Sequence, residues 1–445
     1  MHLKRQHFLA LVFLLTASVA VRADKVDDYV KAEMQRQHLP GLSLVVIKDQ
    51  KIVKLQGYGL ANIELNVPAT PETVYKIGSV SKQFIATGIM LLVQDGKLSL
   101  DDNIGKYLEG TPETWNPIKI RHLLTHTSGL VREAPGFDPL KIQADADVIK
   151  TAYSLPLRFA PGEKYEYCNV GYFSLAEIIR KVSGKPWGEY LGERLFKPLG
   201  MNSTRTTDMR DLVPNRANGY AWRDGKFQNA AIYFALRPSG AFLSTVVDLA
   251  KWEAALATEK VLKKAVLDQM WTPVKLNSGK TEAYGFGWQM DDVRGHKLVN
   301  HGGSLPGFRA QYARFVDDRV TVIVLTNGDN ANAFSIARGV GNLFIPGLLP
   351  VRHLARVDPK VLDTYVGQYK SEQSPVLTIA REGHKLTIQQ GTDPDKTEML
   401  PESQTDFFML DQPYMTFSFV KDETGQLYMV RKVEGREAVR VKKIK

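Results

Sequence analysis

The sequence predicts an α+β protein. A sheet drawn from both ends of one domain is joined by a mostly helical middle, and a small antiparallel β-barrel follows at the C-terminus. Three observations carry that prediction. Apolar, β-patterned segments occur at 42–59 and again at 297–326; two runs of helical length and spacing lie between them; and short strands at close spacing follow a Pro/Gly stretch near residue 346.

Residues 1–23 begin with Lys4 and Arg5, continue as an apolar run from Phe8 to about Val19, and end in small-residue cleavage candidates at Ala20 and Ala23. That order predicts a secretory signal peptide, hence export to a periplasmic or extracellular location. No later stretch approaches the roughly 18 apolar residues that span a bilayer, and no cysteine near the cleavage point offers a lipid anchor, so no stable membrane insertion is expected.

In the domain expected over 24–345, segment 43–47, a polar turn at 48–51 and segment 52–55 read as a β-hairpin. Segments 79–94 and 170–182 have helical spacing, with Gly96 and Gly184 as stops. Strands are expected at 297–300, 308–315 and 320–326. A linker over 346–359 centres on Pro346, Gly347 and Pro350. Beyond it, strands at 376–380, 385–389, 407–410, 415–420 and 427–432 predict the barrel over 360–445.

An apolar fraction of 44% suffices for a substantial core. The net charge of +10 falls to +7 without Lys4, Arg5 and Arg22, and what remains is scattered, so nucleic acid is not an expected partner. The exception, seven Lys or Arg over 431–445 against Glu434 and Glu437, reads as a solvated strand face. With Cys168 alone, no intrachain disulfide forms and the fold rests on its core.

Three polar clusters carry the chemistry: Ser79-Val80-Ser81-Lys82, Tyr167-Cys168-Asn169 and His301-Gly302-Gly303-Ser304. A serine hydroxyl is a weak nucleophile near neutral pH and needs a proton acceptor and fixed donors for the oxyanion that follows. Ser418 and Lys421 repeat the Ser-x-x-Lys spacing, but in a strand residues three apart point to opposite faces, whereas on a helix they meet. The run after Lys82 is nearly all apolar, which places this lysine at a buried position where desolvation lowers its pKa. Ser79 would gain from the helix N-terminus. Tyr167 can shuttle a proton, and Asn169 can orient Lys82 or a substrate carbonyl. Whether Lys82 or Tyr167 is the base stays open. Cys168 reads as a packed small residue. Gly302 and Gly303 allow a substrate backbone to lie against their strand. His122 and His126 have no third ligand beside them, so no metal and no cofactor is expected. No Gly-x-Ser-x-Gly elbow is present, which demotes a Ser-His-Asp hydrolase.

In these motifs, over about residues 25–345, the chain resembles the β-lactamase-related serine hydrolases: class C β-lactamases, D,D-peptidases, D-aminopeptidases and related esterases. Ser-x-x-Lys, Tyr-x-Asn and Lys/His-x-Gly fall on Ser79 and Lys82, Tyr167 and Asn169, and His301 and Gly303. Two longer stretches, IRHLLTHTSGL from Ile120 to Leu130 and FAPGEKYEYCNVGY from Phe159 to Tyr172, strengthen the likeness. The resemblance implies a β-lactamase/transpeptidase-like mixed sheet flanked by helices with a helical insertion, and an oxyanion hole from the amides of Ser79 and Ser304. It also implies a lipocalin-like C-terminal barrel and a packing role for the stretch holding His122 and His126. The expected activity is hydrolysis of small-molecule or short-peptide amides or esters through an acyl-enzyme on Ser79, with Lys82 and Tyr167 moving protons and Asn169 and His301 positioning substrate. Alternatives are a penicillin-binding protein acylated without efficient turnover and a true β-lactamase. Because His301 stands where β-lactamases carry a lysine, a fixed positive charge is missing, and Arg309 becomes the candidate carboxylate anchor.

Overall fold

A computed structural model describes residues 25–206, 211–232, 237–240, 242–371, 374–391, 396–410, 412–433 and 436–445. The expected signal peptide lies outside the described residues. The chain divides between Phe344 and Ile345 into two compact units.

The first unit is built on a seven-stranded sheet. Its N-terminal strands are β1 (Gly41–Lys48), β2 (Lys51–Asn62) and β3 (Val67–Pro68); its C-terminal strands are β4 (Gln289–Val293), β5 (His296–Leu305), β6 (Phe308–Phe315) and β7 (Val320–Thr326). The order is β4-β5-β6-β7-β1-β2-β3, so the two chain ends meet where β7 pairs with β1. Every pairing is antiparallel; the sheet is mixed in chain order, not in strand direction. Asp49 and Gln50, with φ of 50° and 61°, close the β1–β2 hairpin, as a two-residue turn matched to strand twist requires. Being central, β1 has no solvent-facing side, which explains its unbroken apolar run Leu44 to Ile47.

The longer helices of this unit are α1 (Lys82–Gln94), α2 (Asn169–Ser183), α3 (Val246–Leu256) and α4 (Ala333–Asn342). The last packs on β6 and β7, α3 packs on β1 and β7, and α1 runs through the interior against α2. Phe84 on α1 meets Phe196, Phe242 and Trp252 edge-on with ring centroids 5.2, 5.7 and 5.5 Å away. The helix predicted from residue 79 begins as a 3-10 turn, Gly78–Ser81, and becomes α-helical only at Lys82. Gly78 has φ 52°, and a Cβ on it would stand 2.6 Å from the Ser304 nitrogen, so only glycine lets this turn lie against β5.

The second unit contains α5 (Pro359–Tyr365) and a closed barrel. Its strands are β8 (Gly367–Ser371), β9 (Ser374–Glu382), β10 (Lys385–Gln390), β11 (Lys396–Pro401), β12 (Asp406–Met409), β13 (Gln412–Lys421), β14 (Leu427–Val433) and β15 (Arg436–Lys443). Tyr369 opposite Lys443 closes the ring. The five expected strands overlap β9, β10, β12, β13 and β14, and the basic stretch read as a strand face holds β15; β8 and β11 were not foreseen. Tyr369, Met399, Phe407, Phe417, Phe419 and Met429 form the buried core of this unit. Ser418 is buried while Lys421 is exposed, the outcome expected of Ser-x-x-Lys in a strand.

Candidate active site

The three clusters converge at the start of α1. Lys82 is fully buried at its first position. Its Nζ lies 2.8 Å from Asn169 Oδ1, 2.9 Å from the Ser239 carbonyl oxygen and 3.3 Å from Ser79 Oγ. Asn169 is at the first position of α2, where Cys168 Sγ caps the helix by accepting the Gly171 N–H. Burial drives the Lys82 pKa well below 10.5, Arg237 adds to the effect and Glu133 opposes it. The Tyr167 phenol is pushed up by burial, and a hydrogen bond with Ser79 partly opposes the shift. Its ring centroid lies 4.8 Å from Lys82 Nζ.

These contacts fix proton positions. Both carbonyl oxygens beside Lys82 can only accept, so a neutral amine gives its two N–H groups to them and turns its lone pair toward the Ser79 hydroxyl. The Asn169 amide is fixed as well, because Nδ2 donates to Glu133 Oε1 at 2.5 Å. Glu133 in turn accepts from Arg237. Glu133, Arg237 and the Ser239 carbonyl were not anticipated; they come from loops whose sequence carries no local signature.

His301 and Asn169, expected to position substrate, both make side-chain hydrogen bonds within the protein. Nδ1 of His301 is 2.7 Å from the Gly302 carbonyl oxygen, an acceptor, so this nitrogen carries the proton and Nε2 accepts from Tyr284 O–H at 3.0 Å. Burial and the nearby Lys82 lower the His301 pKa to about 3, so the ring is neutral. Asn169 Oδ1 thus faces Lys82 Nζ, and the His301 ring bridges the Gly302 carbonyl and the Tyr284 hydroxyl. Pairing of β5 with β4 ends at Asn300. Beyond that residue, Gly303 packs against the Ile77 carbonyl and Ser304 is exposed. This brings the Ser304 amide beside the turn that carries Ser79.

Cys168 is buried and donates to the Val131 carbonyl, and burial raises its pKa to about 12, so it is an inert packed thiol. His122 Nδ1 accepts from the Lys119 N–H, whereas His126 accepts from Cys168; the two rings serve different loops. Among the described residues no group of three His, Cys, Asp or Glu is placed to hold a metal ion. No helix among them is long and apolar enough to cross a membrane.

A cleft of about 510 Å³ begins at Ser304 and is lined by Arg223, Arg237, Arg309 and Asp329. Arg309 Nη1 donates to the carbonyls of Leu305 and Phe308, at 2.9 Å each. Asp329 is 3.6 Å from Arg223.

Residues 26–341 match the family model described as Beta-lactamase. The chain belongs to that family. Its fold homologues are serine hydrolases. Residues 352–436 match a domain of unknown function, DUF3471. A curated relative, Penicillin-binding protein 4* of Bacillus subtilis (strain 168), is 29% identical over 86% of this chain and 91% of its own length. The octameric penicillin-binding protein homologue from Pyrococcus abyssi superposes with a TM-score of 0.66 at 26% identity, covering 94% of this chain and 99% of that one. D-amino acid amidase from Ochrobactrum anthropi SV3, complexed with L-phenylalanine amide, gives a TM-score of 0.62 at 25% identity over 73% of this chain and 96% of its own.

Proposed function

We propose that this chain is an exported hydrolase that cleaves amide or ester bonds of small peptide-like substrates through an acyl-enzyme on Ser79. The observation that carries the reading is the Lys82 amine, buried against two carbonyl acceptors with Ser79 Oγ as its third neighbour. Lys82 takes the Ser79 proton as the oxygen attacks the scissile carbonyl. The amides of Ser79 and Ser304 hold the oxyanion. Tyr167, its phenol kept protonated, passes a proton to the leaving amine or alkoxide and recovers one from Lys82. Water then hydrolyses the ester. The Lys4, Arg5 and apolar 8–19 pattern supports export.

Intact-protein mass measured over time after mixing with a p-nitrophenyl ester, and separately with a penicillin, tests this. A transient wild-type adduct that decays with product release, absent from Ser79→Ala, is expected with the ester. A penicillin adduct that persists would support the reading of a penicillin-binding protein without turnover. Retained hydrolysis in Ser79→Ala would move the nucleophile elsewhere.

The Arg309 cleft sets a second expectation. Substrates with a free carboxylate beyond the scissile bond are expected to be preferred over their amides. Arg309→Gln should raise KM for the former about tenfold, the worth of one charged hydrogen bond, and leave neutral esters unchanged. Equal rates on both substrate types would sink the Arg309 anchor.

A further inference from the structure

Tyr167 sits between two amides that both donate to one residue. The Glu166 N–H bonds the His126 carbonyl at 2.9 Å, and the Cys168 N–H bonds His126 Nδ1 at 3.0 Å. The His126 ring also packs against the Tyr167 ring, centroids 4.2 Å apart. His126 has φ 59°, and this left-handed backbone lets its carbonyl and its side chain serve one loop together. A backbone N–H can only donate, so Nδ1 is unprotonated and the proton is on Nε2. That nitrogen has no hydrogen-bond partner among the described residues, and the His126 ring packs against the rings of Tyr165, Tyr172 and Tyr284. This histidine is fully buried, and the hydrogen bond of its ring runs through Nδ1 to the loop that carries Tyr167.

We infer that His126 is the positioning residue for Tyr167, clamping the amides on both sides of it so that the phenol stands at Ser79 and Lys82. This role rests on the acyl-transfer reading above. It touches no reacting atom, and the stretch that contains it was expected only to pack.

The test measures single-turnover acylation of Ser79 by intact mass, with Tm for every variant. His126→Gly removes the side chain without strain, since glycine accepts φ 59°. It is expected to slow acylation about 100-fold at saturating ester while leaving the half-saturating concentration nearly unchanged, because misplacement by about 1 Å costs that much. His126→Asn keeps an acceptor and tolerates the left-handed backbone, and should recover most of the rate. In a Tyr167→Phe background, His126→Gly should add less than about a threefold loss, because the residue acts through the phenol.

Native acylation in His126→Gly overturns the role. So does a loss that multiplies fully with Tyr167→Phe, or an Asn variant as slow as the Gly variant. If the Gly variant does not fold, the Asn variant decides: native-like acylation supports the acceptor role, and slow acylation at native Tm overturns it. Wild type that never acylates at Ser79 fails the acyl-transfer reading and this role with it, and is told apart because it needs no variant at His126.

Discussion

Lys82→Met is expected to slow acylation of Ser79 by about 10³-fold, within the range a positioned general base contributes, and Lys82→Arg should not restore it. The reason lies in proton affinity more than in charge. A guanidinium keeps its proton at every accessible pH, whereas the buried amine, its pKa well below 10.5, is neutral when Ser79 must be deprotonated. Wild-type acylation should therefore rise with pH along a limb far below the ordinary lysine range, and the Met variant should lack that limb.

Stability carries the same signature with a definite sign. Between the lowered folded pKa and the unfolded value near 10.4, the unfolded chain binds more protons at this site than the native one, so native stability rises with pH across that window. Lys82→Met removes the dependence. Its Tm should lose ground to wild type as pH rises through the window, in parallel calorimetric scans of the two proteins. A Tm difference that stays constant with pH would mean that Lys82 is charged in the folded enzyme, and the base would then be Tyr167.

The sequence made the outline of this site legible because its parts are local. Ser79 and Lys82 are one turn apart, Tyr167 and Asn169 open one helix, and His301 to Ser304 share one strand. Fold-level patterns were readable for the same reason: β1 carries the apolar run Leu44 to Ile47 and β7 the run Val322 to Leu325 because each strand is buried in the middle of the sheet. What stayed hidden is what long-range folding assembles. The Ser239 carbonyl reaches Lys82 across 157 residues, and a backbone acceptor leaves no trace in residue type. Glu133 contacts Asn169 36 residues away, from a loop without periodicity. His126 was visible as a residue, but its clamp on Tyr167 depends on a left-handed backbone that composition does not announce. In the barrel, β11 was missed because Lys396 to Glu398 are polar or charged, and pairing with a neighbour overrides that local preference.

Gly303→Ala is expected to cost at least about 100-fold in acylation, while Gly302→Ala, one residue away, stays within a few-fold of wild type. A Cβ on Gly303 would stand 2.0 Å from the Ile77 carbonyl oxygen and 3.2 Å from Ala310 Cβ, so backbone must move. Ile77 cannot yield easily. Its N–H bonds the Phe242 carbonyl at 3.1 Å, and the preceding Tyr75–Lys76 strand pairs with Leu243–Ser244. The displaced element is then β5, and with it the Ser304 amide moves away from Ser79. Two oxyanion donors set on separate elements act together only at fixed spacing, and losing one costs roughly 10²–10³-fold. A Cβ on Gly302 meets the end of the Gln311 side chain at 3.1 Å and the Ala310 carbonyl oxygen at an ordinary 3.8 Å, so a shift of a few tenths of an ångström at a side-chain tip accommodates it. Acylation rates and Tm of the two variants separate the possibilities. If both were equally impaired at native Tm, glycine would matter along this edge for substrate approach, and the contact between β5 and the Ser79 turn would not be what sets the rate.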